Sequence, residues 1–230
     1  MSELNNNPLV YIYNSHQLEE YAKEDEEESP KVIIASRILS KKLNKLGILS
    51  IVEKGSVPRI IEKNNLKFAD SYRISRMFMD IAKSKYPSLE YFIDIHRDAP
   101  PRNSTTVTID GKDYARILFL VGFHNKKYKY NLRVIGELHD IIDENHSKIL
   151  RGVLLKKGPD NDGVYNQDFS SNAMLVEVGG RENIIEEVNN TLDVFALALA
   201  KHIVRNKKNR SLYTIDDLSL KKKKVLKQVI

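Results

Sequence analysis

The sequence predicts an α/β protein with a single domain, a largely parallel twisted sheet and helices on both faces of that sheet. Strand-length apolar runs alternate with stretches in which apolar residues recur at helical spacing, an order typical of parallel strands joined by right-handed crossovers. At 230 residues the chain can bury a full core in one such domain. Several of the strand-like runs end in a histidine or a glutamate, and this end of α/β strands is where binding and catalytic residues collect.

The first part of the chain predicts alternating strands and helices. Gly47 follows a run with one apolar face and marks the end of a helix, and Pro87 limits a second helix before the next strand. In order, the predicted elements are a strand over 9–14, a helix over 31–46, a strand over 48–52, a helix over 71–85 and a strand that ends at residue 96.

The second part of the chain predicts a β-hairpin, followed by further strands and helices. Two β-rich stretches between residues 104 and 121 flank Asp110-Gly111, a strong hairpin signal, and we expect them to add strands to the sheet. Asn183 is the expected cap of the last helix, whose inward-facing positions end at Ile203. The other predicted elements are a helix over about 130–145, a strand over 151–155, a loop over 156–171 and a strand over 173–178.

Composition limits the chemistry that the chain can perform. It has no cysteine, which excludes disulfides, thiolate metal sites and cysteine nucleophiles, so any metal must be held by histidine and carboxylate groups.

The net charge of +6 is concentrated at the end of the chain, where residues 201–230 hold ten Lys or Arg and two Asp. That segment is either a solvated tail or a site for a polyanion such as nucleic acid or an acidic wall polymer. We expect a polar tail over 1–8, a central domain over 9–205 and a basic tail over 206–230.

Histidines and glutamates at the strand ends form a candidate metal site. His16-Gln-Leu-Glu19 follows the first strand, His96 ends the run from Tyr91, and Glu177 lies near the end of the strand over 173–178. Two histidines and one glutamate are a standard ligand set for catalytic zinc, and a further carboxylate can accept a proton from the attacking water. The alternative is that His16 and His96 are unrelated loop residues.

Four segments carry a resemblance to a known family. They are Asn14-Ser-His-Gln-Leu-Glu-Glu-Tyr21, Tyr91-Phe-Ile-Asp-Ile-His-Arg-Asp-Ala99, Tyr165-Asn-Gln-Asp168 and Leu175-Val-Glu-Val-Gly-Gly-Arg-Glu-Asn183. In this order they resemble the stage II sporulation protein P family over roughly residues 9–205. The resemblance implies an amidase/phosphorylase-like fold and a zinc-dependent N-acetylmuramoyl-L-alanine amidase, a peptidoglycan hydrolase that degrades cell wall during sporulation and engulfment.

The same resemblance implies roles for individual residues. It makes His16 and His96 zinc ligands, Glu177 the catalytic carboxylate, and Glu19, in a His-x-x-Glu pattern, the third ligand. Many related amidases take that glutamate from the start of the first helix. The alternatives therefore stay open: Glu27 or Glu28 in place of Glu19, and an exchange of roles between Glu19 and Glu177.

The neighbours of His96 are candidates for a supporting role. We expect Asp98 to orient an imidazole and Arg97 to meet an anionic carboxylate of the stem peptide. A simple salt bridge explains each of them equally well.

The resemblance also implies a setting for the protein. Family members work on the wall side of the cytoplasmic membrane, carry an N-terminal anchor and act with a lytic transglycosylase during engulfment. This sequence shows no anchor, as expected either for an excised catalytic domain or for a protein without one. Two other functions stay open: a metallopeptidase that cuts stem-peptide cross-links, and a non-catalytic domain that binds cell wall or nucleic acid.

Overall fold

Six strands form one mixed sheet in the computed structural model, which describes residues 7–23, 28–157 and 162–226, with side chains up to residue 208. The strand order is β2-β1-β3-β8-β6-β7. The first four of these strands are parallel, β6 runs antiparallel to β8, and β7 is parallel to β6. The strands of this sheet are β1 (Val10–Tyr13), β2 (Ser50–Val52), β3 (Tyr91–Asp98), β6 (Ile117–Gly122), β7 (Leu150–Lys156) and β8 (Asn172–Gly180). The predicted α/β class and the largely parallel sheet are therefore confirmed.

Helices cover both faces of this sheet. Along the strands, side chains alternate between the two faces, so Ile93 and Ile95 join one core and Phe92 another. The first core includes side chains from α1, α5 and α6, and the second includes side chains from α3. The helices are α1 (Ile33–Lys45), α2 (Val57–Lys63), α3 (Ser71–Lys85), α4 (Arg102–Thr105), α5 (Tyr128–His146) and α6 (Ile185–Leu226), with 3-10 turns at Phe68–Asp70 and Ser147–Ile149.

The predicted hairpin forms, but it does not join the main sheet. Strands β4 (Thr106–Ile109) and β5 (Lys112–Ala115) pair with each other and not with the main sheet, so the expectation is wrong for these two. It holds for β6, which begins in the second of the two predicted stretches and joins the main sheet. Asp110 and Gly111 both have positive φ angles, of 51° and 76°, as a tight two-residue hairpin turn requires. Arg116 is the residue between β5 and β6, and its guanidinium donates to the carbonyl oxygens of Lys148 and Leu150.

Helix α2 was not predicted, although its start carries local signals. The Ser56 Oγ accepts a hydrogen bond from the Arg59 N–H at 3.3 Å, and Pro58 lies in the first turn. Because the helix has only seven residues, its apolar periodicity is too short to stand out. This helix forms one wall beside the candidate site.

The last helix differs from the prediction at both ends. Asn183 does not cap the helix, because its Oδ1 accepts a hydrogen bond from the Gly180 N–H at 2.7 Å instead. At the start of the helix, the Ile184 N–H donates to the Glu187 side chain at 3.2 Å. The helix continues to Leu226, through the segment expected as a basic tail. The expected domain limits stay predictions, and residues 1–6 of the polar tail lie outside the described residues.

None of the helices in the described ranges combines the length and apolar character that a membrane span needs.

The core face of α6 allows a matched test of packing. Leu199 is fully buried, whereas Leu197 on the same helix is 46% exposed. Leu199→Ala should lower the free energy of unfolding by about 2–5 kcal/mol, because it leaves a cavity between helix and sheet. Leu197→Ala should change it by less than about 1 kcal/mol. Urea denaturation measures both, and equal losses would contradict the packing described here.

Candidate metal centre

The candidate site lies where β1, β3 and β8 end at their carboxyl edge. His16 follows β1 in a turn, while His96 lies near the end of β3. Glu177 of β8 pairs directly with His96 in the parallel register, so the two side chains start from the same face of the sheet. Three segments far apart in the chain thus reach one place.

His16, Glu19 and His96 together offer the ligands for a metal ion. The Glu19 Oε1 lies 3.4 Å from the Nδ1 of each histidine, and the ligand atoms of all three residues lie within 4.8 Å of one another. Two ligands placed about 2.1 Å from a tetrahedral ion are about 3.4 Å apart, so this spacing fits a small divalent cation. The structure brings together these three residues, which the sequence named as candidate ligands.

A buried carboxylate that was not predicted holds this arrangement in place. Asp94, which is fully buried, accepts hydrogen bonds from the Ser15 N–H at 2.9 Å and the Ser15 hydroxyl at 2.7 Å. It also lies 3.0 Å from the His96 Nε2, the nitrogen that faces away from Glu19. A carboxylate on the second nitrogen of a ligating imidazole fixes the ring and raises its basicity.

The electrostatics of the cluster favour a positive charge. Burial alone would lower the pKa of His96, but the Asp94 and Glu19 carboxylates outweigh it and hold that pKa well above its ordinary value. Burial would likewise raise the pKa of Glu19, but hydrogen bonds from the two imidazoles and from the Arg97 N–H hold it well below its ordinary value. An imidazolium or a metal cation is therefore stabilised at this position.

Glu177 lies in a different environment from Glu19. Burial raises the pKa of Glu177 from 4.5 to about 7, His96 opposes that rise, and nearby carboxylates add to it. Its Oε2 is buried and has no hydrogen-bond partner among the described residues. A carboxyl group with a pKa near neutrality and an unpaired oxygen beside a metal site can accept and return a proton.

Of the other residues singled out from the sequence, Asp98 makes contacts of its own and Glu28 lies outside the candidate cluster. Asp98 pairs with Arg151 at 2.6 Å and accepts from the Ala99 N–H. Glu28 is exposed and does not belong to the group of possible ligands found among the described residues, while Glu27 lies outside those residues.

Two features of the site were missed in the sequence, and one of them carried a signal. Asp94 lies two residues before His96 in the same strand, so strand alternation places both side chains on one face. The aromatic contacts of His16, with ring centroids 4.5 Å from Phe68 and 5.3 Å from Tyr72, depend on the 3-10 turn and α3. Nothing local to His16 predicts them.

A hollow of about 300 Å³ opens on one side of His16. Its lining is mostly apolar and comes from the turn after β1, from α2 and from the following 3-10 turn. The side chains that give it this character include Leu18, Val57, Pro58, Ile61 and Phe68. An apolar part of a ligand can therefore lie next to the candidate metal ligand.

The fold and the site define an α/β protein with a candidate divalent-metal centre at the carboxyl edge of its sheet. Comparison with known proteins gives the family: the chain belongs to the Stage II sporulation protein P family, whose model matches residues 2–200. Stage II sporulation protein P of Bacillus subtilis (strain 168) is 34% identical over 201 residues, which cover 82% of this chain and 50% of that protein. The chain thus spans about half the length of this curated relative. The predicted family is confirmed.

Two solved structures are similar to this chain at low sequence identity. The CwlD amidase from Clostridioides difficile, solved in complex with the GerS lipoprotein, has a TM-score of 0.49 and 16% identity and covers 86% of this chain and 97% of its own. Cwp6 from Clostridium difficile has a TM-score of 0.46 and 12% identity, with 85% of this chain and 29% of its own covered.

The raised pKa of Glu177 predicts a pH-dependent gain in stability when its charge is removed. The folded chain holds the Glu177 proton more tightly than the unfolded chain, so ionisation destabilises the fold as the pH rises above 4.5, up to about 7. In metal-free protein, Glu177→Gln should therefore stabilise the fold more at pH 8 than at pH 5, by about 2 kcal/mol. Denaturant titration at the two pH values measures this difference. The exposed Glu144→Gln serves as the control and should show no such pH dependence.

The contacts of Asp94 and Asp98 predict different effects on metal affinity. Asp94→Asn weakens the group that fixes the His96 ring and should lower the affinity for a divalent metal ion by about 10–100-fold. Asp98→Asn should leave the affinity nearly unchanged, since Asp98 pairs with Arg151 instead. Competition with a chromophoric chelator, on protein shown to be folded by circular dichroism, gives both values. An equal loss in the two variants would mean that Asp98 also orients a ligand.

Proposed function

We propose that this chain is a zinc-dependent peptidoglycan hydrolase that cleaves the amide bond between N-acetylmuramic acid and the L-alanine of the stem peptide, in the engulfment stage of sporulation. Membership of the Stage II sporulation protein P family supports the role in sporulation. One observation carries the chemistry: the Glu177 carboxyl group, whose Oε2 is buried and has no hydrogen-bond partner among the described residues, lies beside His96 in the sheet, next to a cluster of two histidines and a glutamate.

The donor set fits zinc. Two imidazole nitrogens and one carboxylate oxygen are ligands that Zn²⁺ accepts in hydrolytic enzymes, and the fourth position is left for water or substrate. In this proposal His16, Glu19 and His96 hold the ion, Asp94 keeps the His96 ring in place, and Glu177 stays unbound. When bound, zinc would acidify a water molecule and polarise the scissile carbonyl.

Glu177 moves the proton in this proposal. Its unpaired Oε2 accepts a proton from the water that attacks the carbonyl carbon. The same carboxyl group then donates that proton to the nitrogen of the departing L-alanine, so that the leaving group is a neutral amine. A pKa near 7 suits both steps, because the group can hold and release a proton at neutral pH.

The substrate sets the place of action. Peptidoglycan lies outside the cytoplasmic membrane, so we propose that the domain works on that side. The partnership with a lytic transglycosylase stays a prediction of the family resemblance.

Digestion of purified peptidoglycan tests the proposal directly. Mass spectrometry should find free stem peptides that begin with L-alanine, and a chelator should abolish their release. Cleaved cross-bridges in their place would indicate a peptidase acting on stem-peptide cross-links. A protein that binds wall material or nucleic acid but has no stoichiometric zinc would be a binding domain.

Three substitutions separate the ligands from the proton acceptor. Glu177→Gln should retain zinc and lose activity by at least about 100-fold, because the general base is gone. His96→Ala and Glu19→Gln should lose both zinc and activity. Zinc content by atomic emission and turnover on a defined muropeptide give the two readouts. Loss of zinc from Glu177→Gln as complete as from His96→Ala would reverse the assignment of roles.

A further inference from the structure

Two large apolar side chains are exposed at the hollow beside His16. Phe68 is 64% exposed and Leu18 is 60% exposed, and both line this hollow. Apolar side chains that gather at a concave surface without being buried mark a binding site. We call this concavity the apolar hollow, and its apolar lining consists of Leu18, Val57, Pro58, Ile61 and Phe68.

His16 connects the apolar hollow to the candidate metal centre. It belongs to the group of three possible metal ligands, and it also lines the hollow. The centre of its ring lies 4.5 Å from the centre of the Phe68 ring. A substrate whose scissile carbonyl lies at the metal centre can therefore place the group next to that carbonyl against Phe68.

The polar side chains of the lining are engaged within the protein. The Gln17 amide donates to the Gly55 carbonyl at 2.8 Å and accepts from the Val57 N–H at 2.9 Å. The hydroxyl groups of Ser15 and Ser71 donate to a carboxylate and to a backbone carbonyl. The described lining therefore offers a ligand mainly apolar surface, as small-molecule sites do.

The walls of the hollow are fixed relative to the metal centre. Gln17 follows His16 directly, so its two hydrogen bonds fasten the start of α2 to the turn that carries this ligand. On another wall, the Asp70 carboxylate accepts from the Lys67 N–H at 2.9 Å and closes the 3-10 turn that presents Phe68. A wall that is already ordered loses little further entropy when a ligand binds.

The charge of the lining distinguishes between the two sides of the scissile amide. Among the residues that the structure describes, those lining the hollow include one acid, the exposed Glu62, and no Lys or Arg. The stem peptide carries carboxylates beyond its L-alanine, and these would lose hydration here and meet a like charge. The muramyl side is uncharged once its lactyl carboxyl is part of the amide, and it presents methyl groups and the C–H face of a sugar ring.

We infer that the apolar hollow is the subsite for the N-acetylmuramic acid residue on the acyl side of the scissile amide, with Phe68 as the platform for its sugar ring. This inference rests on the proposed function and names the half of the substrate that lies here. The C–H face of a pyranose ring packs on an aromatic face through dispersion and burial of apolar surface. The volume of about 300 Å³ is that of a small ligand pocket and suits a single sugar residue.

Two substrates that differ only in the sugar test the subsite. One is N-acetylmuramoyl-L-alanyl-D-isoglutamine, and the other carries a D-lactoyl group in place of the muramoyl group, so the scissile amide and the peptide are the same. Wild-type protein should cleave the muramoyl substrate with a KM about tenfold lower. Phe68→Ala and Leu18→Ala should each raise that KM by about tenfold, with kcat changed by less than about threefold, and should change the KM for the lactoyl substrate by less than about twofold.

Further measurements separate contact with the sugar from support of the His16 ring. Phe68→Tyr keeps the aromatic face and should match wild type on both substrates. Leu46→Ala removes a leucine that is 45% exposed and lies between α1 and β2, and it should change neither substrate. Phe68→Ala should retain zinc. Loss of zinc from Phe68→Ala, equal losses on the two substrates in both alanine variants, or no loss on the muramoyl substrate would each overturn the subsite.

A binding measurement separates this inference from the proposed function. N-acetylmuramoyl-L-alanine and D-lactoyl-L-alanine are titrated by calorimetry into Glu177→Gln protein, with and without Phe68→Ala or Leu18→Ala. If wild type cleaves neither substrate but tighter binding of the muramoyl ligand depends on Phe68 and Leu18, the hydrolase proposal fails and the subsite stands. If the amide is cleaved and both alanine variants bind and cleave as their parents do, the hydrolase proposal stands and the subsite is refuted. Weaker binding of free stem peptide in their place would assign the hollow to the peptide side and refute the inference.

Discussion

The hydrogen bonds of the Asp94 carboxylate join the elements of the site. A fully buried charge is tolerated only when donors surround it, and here the donors come from Ser15, after β1, and from His96 in β3. A second buried contact, from the Asn14 amide to the Ile95 carbonyl at 2.6 Å, joins the same two segments. The turn with His16 and Glu19 cannot move away from His96 without leaving these groups unpaired. The position of the ligands is therefore a consequence of packing at the strand ends.

The same arrangement gives the carboxylates of the site different properties. Glu19 lies among donors, so its charged form is stabilised, whereas Glu177 is buried without a partner for one oxygen and its neutral form is favoured. A cation ligand must be ionised and a general base must be able to hold a proton, and these environments suit one role each.

The fold could be predicted from the sequence wherever a pattern is local and long. The helix over 71–85 agrees with α3 at both ends, and the convergence of three strand ends follows from parallel pairing. The separation of the hairpin from the sheet has no local signal, and where the hairpin ends Arg116 donates to carbonyl groups more than thirty positions away. Within the site, the ligand candidates follow from residue type and position. Strand alternation places Asp94 on the same face as His96, but only the fold shows that Ser15 lies beside it.

Neighbouring residues in two short motifs make different contacts, because successive side chains of a strand point in opposite directions. In His96-Arg97-Asp98, the first residue contacts Glu19 in the candidate metal centre, the second lines a hollow together with Glu20 and Arg181, and the third pairs with Arg151. The segment from Glu177 to Arg181 works similarly, with two glycines between the carboxyl group and the arginine. Gly179 has a φ of 70°, and a Cβ there would lie 2.7 Å from the Asn183 Oδ1 and 2.9 Å from the Ala115 Cβ. Only glycine lets the strand leave the sheet so close to these groups, and this exit carries Arg181 to the same hollow as Arg97.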